Sequence, residues 1–161
     1  MFRLLVLLAA TFAVLPLQGL ADEESVSAAI DAFHDAASRA DSDTYFGLMT
    51  DNVVFLGTDG TERWQGDEFR EFVDGYFSRG QGWTYVPTER HIDMGVSGEW
   101  ALFDELLQHE RLGQCRGSGV LVREKSGWKI AQYNLSVPIP NAIVVDVAGQ
   151  IRGGAATSDQ P

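Results

Sequence analysis

The chain has 161 residues, 45% of them hydrophobic, with 12 basic and 23 acidic residues and a formal net charge of −11. That length supports one domain with its own core rather than two. A charge so negative repels phosphate backbones and anionic lipid, which excludes nucleic acid and membrane surfaces as leading partners.

The N-terminus reads as an export signal. Met1-Phe2-Arg3 is a short basic start, Leu4 to Leu17 is almost wholly apolar, and Gly19-Leu20-Ala21 offers small residues to a signal peptidase. The apolar run is too short to span a bilayer comfortably, and the acidic Asp22-Glu23-Glu24 follows at once. Residues 1–21 are therefore expected to be removed, which places the protein in the periplasm or outside the cell, with no membrane contact after cleavage. Removal takes one base, Arg3, and no acid, so 140 residues with a formal charge of −12 remain. Cys115 is the single cysteine and has no internal disulfide partner. It reads as a small buried hydrophobe on a strand, and stability must come from packing.

From Ser25 to Ala40, Val26, Ile30, Phe33, Ala37 and Ala40 recur at helical spacing and predict an amphipathic helix. Asp41-Ser42-Asp43 ends it, and Thr44 to Met49 suggests a short second helix capped by Asp43. Val53 to Leu56 reads as a brief strand, followed by a turn at Asp59-Gly60. A third helix takes Asp67 as its N-cap, carries Phe69, Phe72, Val73, Tyr76 and Phe77 on one face, and stops at Gly80. Four strands follow at 83–96, 99–110, 114–124 and 128–137, separated by Ser97-Gly98, Leu112-Gly113 and Ser126-Gly127. This is an α+β order, three helices and then an antiparallel meander. After Pro140, Asn141 can cap a last helix with Ile143, Val144, Val147 and Ile151 on one stripe. Residues 22–152 thus form one domain, and the small, polar residues 153–161 are expected to be disordered.

Two three-residue loops ending in glycine, Arg111-Leu112-Gly113 and Lys125-Ser126-Gly127, set an expected register. They pair Val120 with Gln132, Ser118 with Asn134 and Arg116 with Ser136, and place Asp104 opposite Val120. Alternation then collects Leu102, Val120, Val122 and Ile130 at the apolar end of one face, and Asp104, Arg116, Ser118, Gln132, Asn134 and Ser136 at its polar end. If concave, that face is the wall of a half-apolar, half-polar small-molecule pocket. A one-residue slip exchanges Asp104 for Glu105, so both carboxylates are candidates. Gly117 and Gly119 are expected on the opposite face.

The order of elements, and the stretches FLGTDGTERW (Phe55 to Trp64), RGSGVLV (Arg116 to Val122) and WKIAQYNLSVPIPN (Trp128 to Asn141), resemble the nuclear-transport-factor-2-like superfamily. Within it they are similar to the secreted SnoaL-like, ketosteroid-isomerase-like group. The resemblance covers about Ser25 to Ile151. It implies a cone-shaped, cystatin-like roll, with three N-terminal helices on a curved antiparallel sheet plus the C-terminal helix. It also implies a conical pocket between sheet and helices, and often a homodimer through the outer sheet face.

Ketosteroid isomerases pair a carboxylate base with a tyrosine and a protonated aspartate. Here Asp104 or Glu105 could be the base, and Tyr45, Tyr76 or Tyr133 the hydroxyl; an Asp104–Arg116 ion pair is the competing structural role. In the cone fold the first helix crosses the sheet, which could bring His34 to the pocket. Trp64 would close one mouth, as core or as an aromatic wall. No two histidines have ligand spacing on one element, so neither a metal nor another cofactor is expected. Three functions compete. The leading one is an exported protein that binds a small, largely apolar ligand through Trp64, Arg116, Ser118, Gln132, Asn134, Tyr45 and His34. The others are a cofactor-independent isomerase, cyclase or dehydratase with a pocket carboxylate as general base, and a non-catalytic dimeric interaction module.

Overall fold

The computed structural model describes residues 17–158, with side chains from Asp22 to Gly154. The first 16 residues of the expected export signal lie outside the described residues. Helix α1 (Leu17–Ser38) runs through the expected cleavage point; α2 (Ser42–Gly47) follows, then β1 (Met49–Leu56) and β2 (Arg63–Gln65). Helix α3 (Asp67–Phe77) precedes β3 (Val86–Met94), β4 (Trp100–His109), β5 (Gly113–Glu124) and β6 (Gly127–Ser136), and α4 (Val144–Ser158) ends the order. Three helices on one curved sheet plus a C-terminal helix is the expected α+β arrangement. Helix α4 continues past Ile151 through Ser158, so residues 153–158 are helical where the composition suggested a disordered tail.

The six strands run in the order β2-β1-β6-β5-β4-β3. All neighbours are antiparallel except β1 and β6, which are parallel and join the helical half of the chain to the meander. The short β2, treated as loop from sequence, pairs Phe55 with Trp64 and so closes a hairpin over the edge of β1. Local caps differ from expectation. The carboxylate of Asp41, rather than Asp43, accepts the Thr44 N–H at 3.1 Å. Helix α3 begins at Asp67 behind Gly66, whose φ of 52° suits a residue without a Cβ.

Alternation along the strands separates a buried inner face from an outer one. On β4 the buried residues are Ala101, Phe103, Glu105 and Leu107; on β5 they are Cys115, Gly117, Gly119 and Leu121. On β6 the pattern changes parity, with Trp128 and Ile130 inside and then Tyr133 and Leu135 inside. The cause is an extra residue. Leu121 pairs with Ile130 while the adjacent Val120 pairs with Gln132, so Ala131 bulges out of the ladder. Against this face pack Val26, Ile30, Phe33 and Ala37 of α1, Tyr45 and Phe46 of α2, and Phe69, Val73 and Phe77 of α3.

The expected register therefore needs correction. The pairs Val120–Gln132, Ser118–Asn134 and Arg116–Ser136 are present. Asp104 stands opposite Ser118, two residues from its expected partner, which leaves its face unchanged. That whole face, including Arg116, Ser118, Gln132, Asn134 and Asp104, is the outer one, while Ile130 alone of the expected set turns inward.

Candidate functional site

Glu105 is fully buried on β4 and is held on three sides. His34 of α1 places Nε2 at 2.7 Å from Oε1, and the Tyr133 hydroxyl donates to the same oxygen at 3.3 Å. Arg90, directly across the β3–β4 ladder, donates Nε and Nη2 to Oε2 at 3.0 and 2.9 Å. The guanidinium is anchored in turn to α1, with Nη1 donating to Asp31 Oδ1 at 2.7 Å and to Ser27 Oγ at 2.8 Å. Helix and sheet are thus bridged by one polar network through an otherwise apolar core.

Burial pushes the Glu105 carboxyl up, but the His34 hydrogen bond and the charges of His34 and Arg90 outweigh it and hold the group below its ordinary value. For Arg90 burial acts downward, yet Asp31 and Glu105 prevail and raise it. Burial first, and then the Glu105 charge, push the Tyr133 phenol well above its usual value. The arrangement keeps a carboxylate charged and a phenol protonated. A general base needs the opposite tuning at the carboxylate. The charged carboxylate orients the His34 imidazole as well as the Arg90 guanidinium.

The space beside the network is small. A gap of about 10 Å³, close to the volume limit for one water, lies among Phe33, His34, Phe55, Trp83, Tyr85, Tyr133 and Leu135. Four of these residues, Phe55, Trp83, Tyr85 and Leu135, also line a neighbouring open cleft of about 190 Å³. Phe55, Phe69 and Leu135 are its buried residues; Trp64, Phe72, Trp83 and Tyr85 are half-buried, and Tyr76 is exposed. Gly57, Thr58 and Glu62 of the β1–β2 loop complete the lining. That loop is held by its own polar groups. The Gly57 N–H donates to the Glu62 carbonyl at 2.9 Å, and the Asp59 N–H to the Glu62 carboxylate at 3.1 Å.

The sequence-derived candidates divide cleanly. His34 and Glu105 meet in the interior network, and Trp64 and Tyr76 line the cleft. Tyr45 is wholly buried in the core, and its hydroxyl makes no hydrogen bond of normal geometry among the described residues. Asp104, Arg116, Ser118, Gln132 and Asn134 lie on the outer face, away from both spaces, and the expected Asp104–Arg116 ion pair does not form: Arg116 stands opposite Leu106. Arg90, Trp83 and Tyr85 were not anticipated. Arg90 was legible only through the β3–β4 register, which sets it across from Glu105.

Residues 26–140 match the family model described as a SnoaL-like domain. No curated protein matches the chain significantly. Among solved structures, a candidate dehydratase of the NTF2-like family from Streptomyces avermitilis is 19% identical, with 74% of this chain and 98% of that one covered and a TM-score of 0.64. A candidate aromatic ring hydroxylase from Novosphingobium aromaticivorans is 20% identical over 75% of this chain and 92% of its own, with a TM-score of 0.61. An NTF2-like protein with a cystatin-like fold from the same organism is 13% identical over 81% and 90%, again with a TM-score of 0.61. At these identities the structures share the fold, and the fold hosts many activities. With the curved sheet, the three packed helices and the family match together, the chain belongs to the SnoaL-like domain family on the NTF2-like, cystatin-like fold.

Proposed function

We propose that the protein binds a small, largely apolar molecule in the cleft between the β1–β2 hairpin, α3 and the segment before β3. The observation that carries this reading is the lining, seven aromatic side chains and Leu135 beside Gly57, Thr58 and Glu62. Concave, mostly apolar surface with a few placed polar groups is the usual composition of a ligand site. Native mass spectrometry of protein purified from its own source tests it. A retained adduct that disappears in Trp64→Ala supports the reading. Protein that carries no adduct, and binds nothing from a panel of small apolar and aromatic compounds by calorimetry, overturns it.

A second reading is favoured by the 2.7 Å contact of His34 with Glu105 beside the cleft. In it the cleft is the substrate entrance of a dehydratase or isomerase that needs no cofactor. His34, oriented by Glu105, moves the proton, and the Tyr133 hydroxyl supports it. The candidate dehydratase from Streptomyces avermitilis lends this class its plausibility. The 10 Å³ gap requires Trp83 or Tyr85 to swing before a substrate reaches His34. Assays of His34→Asn on β-hydroxy ketones and enones test it, with the outward-facing Asp104→Asn as control. Equal turnover by all three proteins sinks the enzyme reading.

We also infer export with cleavage near Ala21–Asp22, and a homodimer through the outer sheet face. That face exposes Trp100 (42%) and Leu102 (44%) beside its amides and hydroxyls. N-terminal sequencing of the periplasmic fraction, and sedimentation of the wild type against Leu102→Glu, check the two inferences separately.

A further inference from the structure

The cleft has a chemical bias that apolarity alone does not explain. Among the described residues, Glu62 is the only carboxylate that lines it, and no lysine, arginine or histidine does so. Trp64, Phe72, Tyr76, Trp83 and Tyr85 line the same cleft, and aromatic rings carry negative quadrupole density on their faces. One face of Tyr76 already holds a cation, with the Arg79 guanidinium carbon 5.4 Å from the ring centroid. Arg79 is itself engaged, donating Nε and Nη2 to Gln81 Oε1 at 3.2 and 3.1 Å.

Resting on the small-molecule reading above, we propose that the ligand is a small organic cation, a quaternary or alkylated ammonium group, seated among these rings with Glu62 as its counter-charge. Aromatic cages bind such groups because a methylated ammonium is poorly hydrated and spreads its charge over its methyls, so desolvation costs little and the ring faces replace the water. A carboxylate at the rim adds Coulomb attraction without needing a hydrogen bond from the ligand. The chain's formal charge of −11 favours approach of a cation and opposes an anionic ligand.

The position of Glu62 is enforced by its neighbour. A Cβ on Gly57 would stand 2.2 Å from Glu62 Oε2 and 2.9 Å from its Cβ, so the carboxylate lies folded against a glycine that leaves room for it. Replacing Gly57 must displace the acid while leaving its charge in the protein.

The test compares choline with 3,3-dimethylbutan-1-ol, its uncharged isostere, by tryptophan fluorescence and calorimetry on the full chain. Wild type is expected to bind choline at least about tenfold more tightly than the alcohol. Glu62→Gln, which keeps an acceptor for the Asp59 N–H, should bring choline close to the alcohol and leave the alcohol unchanged. Gly57→Ala should do the same in part, and Trp64→Ala should weaken both ligands, with thermal melts confirming that each variant folds. Equal or tighter binding of the alcohol by wild type overturns the cation inference and leaves the apolar-ligand reading standing. Binding of neither compound overturns the inference and counts against that reading as well. A choline preference that survives Glu62→Gln overturns the role of Glu62 as counter-charge.

Discussion

His34 and Glu105, 71 residues apart in sequence, meet at 2.7 Å inside the sheet–helix interface, and Arg90 closes the other side of the carboxylate. A buried acid of this kind is stable only as a fully paired group, because removing one partner strands a charge in a low-dielectric interior. Replacing Arg90 with methionine therefore should cost about 3–5 kcal/mol of unfolding free energy. Replacing Glu105 with glutamine should cost less, about 1–3 kcal/mol, because Arg90 keeps its bonds to Asp31 and Ser27 while His34 and Tyr133 lose their charged partner. Urea titration at neutral pH measures both. A loss under about 1 kcal/mol in either variant would mean that the network contributes no more than an exposed ion pair does.

The same network sets an acid limit. The Glu105 carboxyl is held below its ordinary value of about 4.5, so the unfolded chain binds its proton first as pH falls. Its contribution is complete above the unfolded value and is lost as pH drops through the lower, folded one. Stability followed from about pH 7 to about pH 3 should fall in the wild type, with a shallower slope in Glu105→Gln. Parallel slopes for the two proteins would refute this assignment.

Two glycines on the inner face of β5 make room for the groups of this core in different ways. A Cβ on Gly117 would meet the Tyr133 hydroxyl at 2.3 Å and Glu105 Oε1 at 2.8 Å, both ends of side chains. A Cβ on Gly119 would meet the backbone carbonyl of Gln132 at 2.2 Å, which moves only with the strand. Gly117→Ala should thus lose about 1–3 kcal/mol, and Gly119→Ala should lose more. Thermal melts that rank them the other way would show that the phenol is less able to shift than the strand.

These glycines also explain which face was legible. Helix positions followed from apolar spacing, and the strand limits fell within a few residues because Ser97-Gly98, Leu112-Gly113 and Ser126-Gly127 mark real turns. Inner and outer faces did not follow. The inner side of β5 carries Cys115, Gly117 and Gly119, small residues that yield space to Tyr133, Phe103 and Glu105 and so give a weak hydrophobic signal. The outer side carries Val120 and Val122 and looks more core-like than the core. The His34–Glu105 contact depends on how α1 crosses the sheet, which no local pattern encodes. The cleft was half legible, through Trp64 and Tyr76, while Trp83 and Tyr85 join it only because the chain after α3 returns along the sheet.

Tyr45 carries a buried hydroxyl without a well-aligned partner, in a ring cluster with Phe33, Phe77 and Trp83. Burial pushes its phenol well above the ordinary value, with only the Trp83 indole acting the other way. An unsatisfied hydroxyl costs about 1–3 kcal/mol, so its removal with the ring kept should be harmless or favourable. Tyr45→Phe is expected to melt at or above the wild-type temperature. A loss beyond about 1 kcal/mol would mean that the hydroxyl makes a real hydrogen bond in solution.

The bulge at Ala131 decides what the last strand presents to the interior. Up to Ile130 the even-numbered residues face inward, and beyond it Tyr133 and Leu135 do, because one residue of β6 has no counterpart on β5. Closing the bulge with Ala131 kept would shift the strand by one residue and send every following side chain to the opposite face. Gln132 and Asn134 would then enter the core, while Tyr133, which packs on Phe33, Phe55 and Phe103 and donates to Glu105, would leave it. Two unpaired amides inside and a lost aromatic together exceed the 5–15 kcal/mol or so by which a domain of this kind is stable, so the extra residue stays outside the ladder. Deleting Ala131 removes that extra residue, leaves the pairs Val120–Gln132 and Leu121–Ile130 in place, and keeps Tyr133 and Leu135 inside. The deletion should therefore retain cooperative thermal unfolding with a loss of about 0.5–3 kcal/mol, and Ala131→Gly should lose about 1 kcal/mol or less. A deletion variant without a sharp melt would show that the bend made by the bulge, and not only the facing it permits, is needed for β6 to pair with both β1 and β5.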